Sequence, residues 1–185
     1  MKFYDNWAKG YDKAVKEGAK VNIKAGEFLV SLLDKFNLRK NIEILDLGAG
    51  TGILDEILVK HGYKRITLVD HSKGMLNKAK KKALLKGCKF VEADIRKLGL
   101  KKKYDVITSL FSFETSYFGE EDMPILFKIL NKHLKKNGLF LTLGHFRFGE
   151  YTKHFKTLES GEYRLAEVKD KGTFWTDYFL GRKGS

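Results

Sequence analysis

Three aspartates stand at the ends of three successive apolar runs: Asp46 in "EILDLGAGTG", Asp70 closing "RITLVD", and Asp94 closing "KFVEAD". The first run leads straight into Gly48, Gly50 and Gly52. Glycines spaced this way let a ligand come close to backbone. The carboxylate just ahead of them sets the charge that such a ligand must carry. A pyrophosphate resting on the N-terminus of the following helix would be repelled by Asp46. The spacing is also not the dinucleotide fingerprint G-x-G-x-x-G: it is G-x-G-x-G, followed by Ile53, Leu54 and Asp55. No lysine follows the glycines, as a phosphate-cradling P-loop requires. The residues suit a ligand that is cationic or rich in hydrogen-bond donors.

Such a row of acids needs elements that deliver them to one edge. "NIEILDLG" reads as a short buried strand, followed by a helix from about Gly52 to His61. "KRITLVD" (64–70) is a second strand, and residues 72–87 a second helix opened by the cap candidate Ser72. "CKFVEAD" (88–94) and "YDVITSLF" (104–111) are the third and fourth strands. A helix from about Asp122 to Asn137 follows, with Pro124 in its first turn and Asn137-Gly138 as its stop. "GLFLTLGHF" (138–146) is the fifth strand. Beyond it, "EYRLAEVKD" and "GTFWTDYFLGRK" flank the turn "KDKG" and predict a hairpin. Ahead of the first strand, Tyr4 to Asn37 reads helical, with Val21, Ala25, Phe28, Leu29, Leu32, Leu33 and Phe36 on one face.

Alternating short apolar strands and helices predict a doubly wound α/β fold, a mostly parallel sheet covered on both faces with the hairpin antiparallel at one edge. Ligands then bind at the carboxyl ends of the strands. The expected organisation is one domain over 1–185, with a helical cap at 1–40, a ligand-binding core at 41–146, and a terminal segment and hairpin at 147–185.

No stretch approaches the roughly 18 consecutive apolar residues of a membrane span. The opening "MKFYDNWAKGYDKAV" has no apolar core for a signal peptide, which predicts a cytoplasmic protein. Cys88 is the single cysteine, excluding an internal disulfide or a cysteine metal cluster; no metal is expected. The 36 Lys and Arg outnumber the 23 Asp and Glu, a net charge of +13 that favours acidic partners such as RNA, or a merely solvated surface. Lysine enrichment without glutamine also fits a heat-adapted source. Their placement decides between these. "KKK" (101–103) and Lys135-Lys136 precede strands four and five, at the edge opposite the acids, and Lys78, Lys80, Lys81 and Lys82 lie on an outer helix. Only Lys9, Lys13, Lys16, Lys20, Lys24, Lys153 and Lys156 are expected near the entrance.

S-adenosylmethionine meets the demand of the acids: it has an ammonium, a sulfonium, a ribose diol and an adenine amino group. At this point the sequence resembles the class I S-adenosylmethionine-dependent methyltransferases. "ILDLGAGTG" is similar to their first motif, "LVDHS" to the acidic end of the second strand, and "VEADI" to the adenine-binding corner. "YDVITSLFSFE" and "LKKNGLFLTL" resemble the fourth-strand motif and the turn into strand five. The resemblance runs from about Ile42 to Phe146. It implies that Asp46 binds the methionine ammonium, with Gly48, Ala49 and Gly50 as close backbone. Asp70 would accept the ribose hydroxyls, and His71 and Met75 would lie along the nucleoside. Asp94 would accept from the adenine amino group beside the Ile95 backbone, and Ser109 would face the methyl-donor end. Tyr4, Trp7 and Tyr11 resemble the opening segment that covers the donor. S-adenosylhomocysteine would be the product.

On the acceptor side, Glu114 after strand four and His145 at the end of strand five share one sheet edge, where either would contact the acceptor or act as base. The expected acceptor is a small molecule. The alternatives are an RNA methyltransferase, a protein methyltransferase, and a binding protein that keeps the donor pocket without turnover. The "NPPY"-type signature of adenine-amino methyltransferases is missing, since strand four gives "SLFS".

Overall fold

A computed structural model describes residues 20–146, 148–168 and 172–184. The predicted helical segment from Tyr4 therefore lies outside the described residues up to position 19. Its remainder forms helix α1 (Val21–Asp34). The chain then runs β1 (Glu43–Leu47), α2 (Ile53–Lys60), β2 (Arg65–Asp70), α3 (Lys73–Lys81), β3 (Lys89–Glu92) and β4 (Tyr104–Leu110). It continues through α4 (Met123–His133), β5 (Leu134–Gly144), β6 (Phe155–Val168) and β7 (Gly172–Lys183).

Among the described residues seven strands form one sheet in the order β3-β2-β1-β4-β5-β7-β6. Strands β1 to β5 pair in parallel, whereas β7 runs antiparallel to β5 and β6 antiparallel to β7. Strand order reverses between β1 and β4, so a crevice forms there at the carboxyl ends. Central parallel strands must be apolar on both faces, which is why "EILDL" and "YDVITSL" read as near-continuous hydrophobic runs. One face packs Ile44, Leu68, Val106 and Leu141 against Leu29 and Leu33 of α1 and Leu54 and Leu58 of α2. The other packs Leu45, Leu47 and Ile107 against α4 and an aromatic cluster that includes Phe113, Phe140 and Phe179. Each fully buried leucine contributes on the order of 2 kcal/mol.

Three boundaries differ from the expectation. The helix predicted to reach Asn137 ends at His133, because Leu134 turns into the core as the first residue of β5. The Lys183 ammonium donates to the freed carbonyls of Asn131 (2.6 Å) and Leu134 (3.1 Å). Helix α3 stops at Lys81, and a separate 3-10 turn over Ala83–Leu85 follows. Strand β6 begins at Phe155, well before the predicted hairpin. Residues Asp177–Arg182 of β7 pair with β5, while Gly172–Thr176 pair with β6 alone, so the hairpin extends past the carboxyl edge of the sheet. Tyr163 of this extension stacks on Phe28 of α1, ring centroids 3.7 Å apart. No helix among the described residues is long and apolar enough to cross a membrane.

Candidate functional site

The turn after β1 is built by left-handed backbone at Gly48 (φ +74°), Gly50 (φ +57°) and Gly52 (φ +75°). Two of these positions need glycine for space as well. A side chain at Gly48 would collide with Ser112, whose hydroxyl donates to the Gly48 carbonyl at 3.0 Å. One at Gly52 would collide with Leu85 and Leu68, which hold the start of α2 against β2. The turn is pinned to β2 by backbone: Gly48 N and Ala49 N both donate to the Val69 carbonyl, at 2.8 and 3.0 Å.

Asp70 then joins the two elements. Its carboxylate accepts from Gly50 N at 2.8 Å and from Ser72 N at 2.7 Å. His71 lies beside it, Nδ1 3.6 Å from Oδ1. Ser72 caps α3 by accepting from Met75 N at 3.2 Å, and Met75 is buried beneath that first turn. Asp70 O accepts from Ala93 N at 3.0 Å, bringing the end of β3 alongside. There Asp94 caps the short turn of Ile95–Lys97 and is gripped by Arg96, with guanidinium contacts as short as 2.8 Å. The Arg96 hydrogen bonds hold the Asp94 carboxyl below the ordinary carboxylate range.

Asp46 is 2% exposed. It faces Thr108, its register neighbour on β4, whose hydroxyl donates to it at 2.6 Å. Burial pushes its carboxyl up to about 7; the Thr108 hydrogen bond and Asp55 oppose this, and the nearby Asp70 charge adds to it. A cavity of about 40 Å³ opens beside it, lined by Asp46, Gly48, Gly50, Asn22, Leu54 and Leu110 among others. That is room for one or two water-sized groups. Among the described residues no Lys or Arg lines it.

At the far side of the crevice, Glu114 and His145 come together. Thr115 N donates to the His145 carbonyl at 2.9 Å, tying the loop after β4 to the end of β5. Burial pushes the Glu114 carboxyl up, partly offset by His145 through its charge and its backbone N–H. His145 is mostly exposed, with Nδ1 3.8 Å from Asp177 of β7. Ser109 does not join either group. Alternation along β4 puts it on the face opposite Thr108, where it is fully buried beside its register neighbour Thr142. Tyr11 lies outside the described residues. Two residues that motif reading passed over adjoin Asp46: Thr108, and Asp55 in the first turn of α2, which is fully buried beside it. A hydroxyl residue within an apolar strand was the available signal for Thr108; for Asp55 the sequence carried none.

Comparisons with known proteins identify the family. A family model described as a methyltransferase domain matches residues 44–138. The malonyl-[acyl-carrier protein] O-methyltransferase of Priestia megaterium is 36% identical over 152 residues, which is 80% of this chain and 53% of that protein. The ribosomal protein L11 methyltransferase of Thermosipho melanesiensis is 35% identical over 118 residues, 62% of this chain and 42% of that protein. The chain thus spans about half the length of the curated relatives it matches. Among solved structures, the N-methyltransferase NodS of Bradyrhizobium japonicum, in complex with S-adenosylhomocysteine, superposes with a TM-score of 0.80. It covers 100% of this chain and 98% of that one at 14% identity, a likeness of fold. The chain belongs to the S-adenosylmethionine-dependent methyltransferases.

The residues present fit that cofactor. The anionic rim of Asp46 and Asp70 suits a cationic, phosphate-free nucleoside, and the small cavity beside Asp46 has the size of an ammonium group. Among the described residues no cluster of His, Cys, Asp or Glu is arranged to hold a metal.

Proposed function

We propose that this chain transfers a methyl group from S-adenosylmethionine to a small-molecule acceptor bound between the ends of β4 and β5. In this reading Asp46 receives the methionine ammonium, and Gly48, Ala49 and Gly50 offer close backbone. Asp70, locked by Gly50 N and Ser72 N, receives the ribose hydroxyls, with His71 and Met75 along the nucleoside. Asp94 and the Ile95 backbone meet the adenine, which requires the Arg96 guanidinium to share or leave the Asp94 carboxylate. When bound, the cofactor supplies a sulfonium methyl whose in-line transfer needs no acid for the leaving thioether. The protein's share is alignment, an entropic contribution on the order of several kcal/mol. Glu114 and His145 orient the acceptor, and Glu114, raised by burial, takes a proton where the acceptor carries one. The cytoplasm is the setting we assign, on the single partly buried Cys88.

The observation that carries this reading is the convergence of Asp46 and Asp70 on one glycine turn whose cavity, among the described residues, has no basic lining. The small acceptor is supported by the malonyl-[acyl-carrier protein] O-methyltransferase relative, whose name prints a malonyl group on a carrier protein, while the ribosomal protein L11 methyltransferase relative favours a protein acceptor. It is also supported by the ion pairs that occupy basic residues away from the crevice: Lys135 with Asp105 (2.9 Å), Lys82 with Glu56 (2.8 Å), and Lys102 with Glu43. A second reading, an RNA acceptor, draws on exposed Phe174 and Trp175 on the hairpin extension and on the net charge. Radiolabelled donor tested with malonyl carrier protein, small carboxylic acids, tRNA and rRNA decides between them. Label confined to RNA would overturn the small acceptor.

A further inference from the structure

Asp55 is an acid in an unusual place. It lies on the first turn of α2, where an exposed acid would favour the helix N-terminus, yet it is 0% exposed. Among the described residues no donor from another residue reaches either of its carboxyl oxygens. The polar group beside them is the Asp46 carboxyl, itself buried and already accepting from Thr108. Two carboxylates in such contact repel; one of them protonated makes a hydrogen bond instead. The surroundings decide which. Burial holds the Asp55 proton most strongly, and the Asp46 charge adds to it; Lys82, beyond the end of α3, opposes. Lys82 is itself paired with Glu56. Cys88, ahead of β3, sits in the field of Asp55, and Asp70, with His71 beside it, adds its charge on Asp46 from the end of β2. On α1 the residue lining the cavity is the uncharged Asn22.

We infer that Asp55 is a positioning residue that stays neutral and donates its proton to Asp46, so that a protonated amino group entering the cavity meets one negative charge and drives a proton out of the pair. Before binding, near pH 7, the two carboxyls together hold between one and two protons. With the donor's ammonium in place they hold one, on Asp55, and the displaced proton passes to the buffer. This deepens the donor-site reading and rests on it. An ammonium is selected over a neutral amine or a hydroxyl, because only a cation recovers the cost of ionising Asp46 in a buried site.

The test is calorimetric titration of S-adenosylhomocysteine into the full chain in two buffers of different ionisation enthalpy, at pH 6.0, 7.0 and 8.5. Proton release should be close to one per ligand at pH 6.0, about half at pH 7.0 and near zero at pH 8.5, with affinity rising about tenfold from pH 6 to 8. Asp55→Asn, which keeps an N–H donor on Asp46, should hold the midpoint of that profile within about half a pH unit. Asp55→Val removes the donor and should move the midpoint up by about one unit. Asp46→Asn should abolish both the pH dependence and the proton release. Binding with no proton exchange at any pH, or Asp55→Asn weakening affinity as much as Asp46→Asn does, would overturn the inference and leave the donor site standing. Absence of binding by the wild-type chain at every pH would overturn the donor site itself. The wild-type proton count and Asp55→Asn decide the question even where Asp55→Val does not fold.

Discussion

Replacing Asp55 by asparagine should make the ligand-free protein more stable at neutral pH, which is the reverse of what removing a buried side chain usually does. In the unfolded chain Asp55 ionises in the ordinary carboxylate range, near 3.8, whereas burial, joined by the Asp46 charge, holds its proton more tightly in the folded chain. Above the unfolded value folding must therefore supply a proton, at up to about 1.4 kcal/mol for each pH unit. Asparagine needs no proton and still donates one N–H to Asp46. Its second N–H is buried without a partner, which costs about 1–3 kcal/mol. The protonation cost outgrows that penalty as pH rises, so the variant should be the more stable of the two at pH 7.5, by on the order of 1 kcal/mol or more. At pH 5 the protonation cost falls to about 1.6 kcal/mol, so the gain should vanish. For both Asp46 and Asp55 the folded form holds its proton more tightly than the unfolded one. Their contribution to stability is thus fully present below about pH 4 and is lost as pH rises through the folded values. Urea unfolding of both proteins at pH 5.0, 6.0 and 7.5 checks this. A gain that does not change with pH, or a destabilised variant at pH 7.5, would refute the argument.

Other substitutions test other parts of the account. Asp70→Ala should weaken S-adenosylhomocysteine binding by at least several-fold, each lost ribose hydrogen bond being worth about 1 kcal/mol; an unchanged dissociation constant by calorimetry would remove Asp70 from the site. Glu114→Gln and His145→Ala should lower turnover more than donor binding, read as kcat against the dissociation constant for the homocysteine product. If neither changes kcat, the acceptor end lies elsewhere. Gly52→Val forces a β-branched residue into left-handed backbone against Leu85 and Leu68, and should cost more than about 3 kcal/mol in a urea melt. Lys183→Met should lower stability by about 1–2 kcal/mol, since it uncaps the carbonyls of Asn131 and Leu134, with little effect on donor affinity.

Much of the fold could be read from the chain because the signals were local. Buried parallel strands announce themselves as short apolar runs, and Ser72 and Pro124 mark helix starts by their own chemistry. The boundary of α4 was not legible. Asn137 does take the left-handed conformation that a helix stop suggests, at φ +60°, but it does so inside β5. The helix ends earlier because Leu134 packs into the aromatic core and Lys183, some fifty residues away, takes up the last carbonyls. The acids that we assign to the donor end stand at strand ends and could be read as a series. Its finer geometry depended on register. Asp46 and Thr108 meet because β1 and β4 pair at those positions, and the same alternation turns Ser109 to the other face. Asp55 reads in the sequence like any solvent-facing acid on a first helical turn. Only the rotation of α2 against β1 reveals it as a buried partner of Asp46.

We propose that a rim of carboxylates on a glycine turn chooses a positively charged nucleoside that carries no phosphate. Parallel titrations of the full chain with S-adenosylhomocysteine, ATP and NADH at pH 8 measure it directly. Saturable heat with the homocysteine compound, reduced by Asp70→Ala and absent with the two phosphorylated nucleotides, is the expected result. Binding of ATP or NADH with no heat from S-adenosylhomocysteine would contradict it.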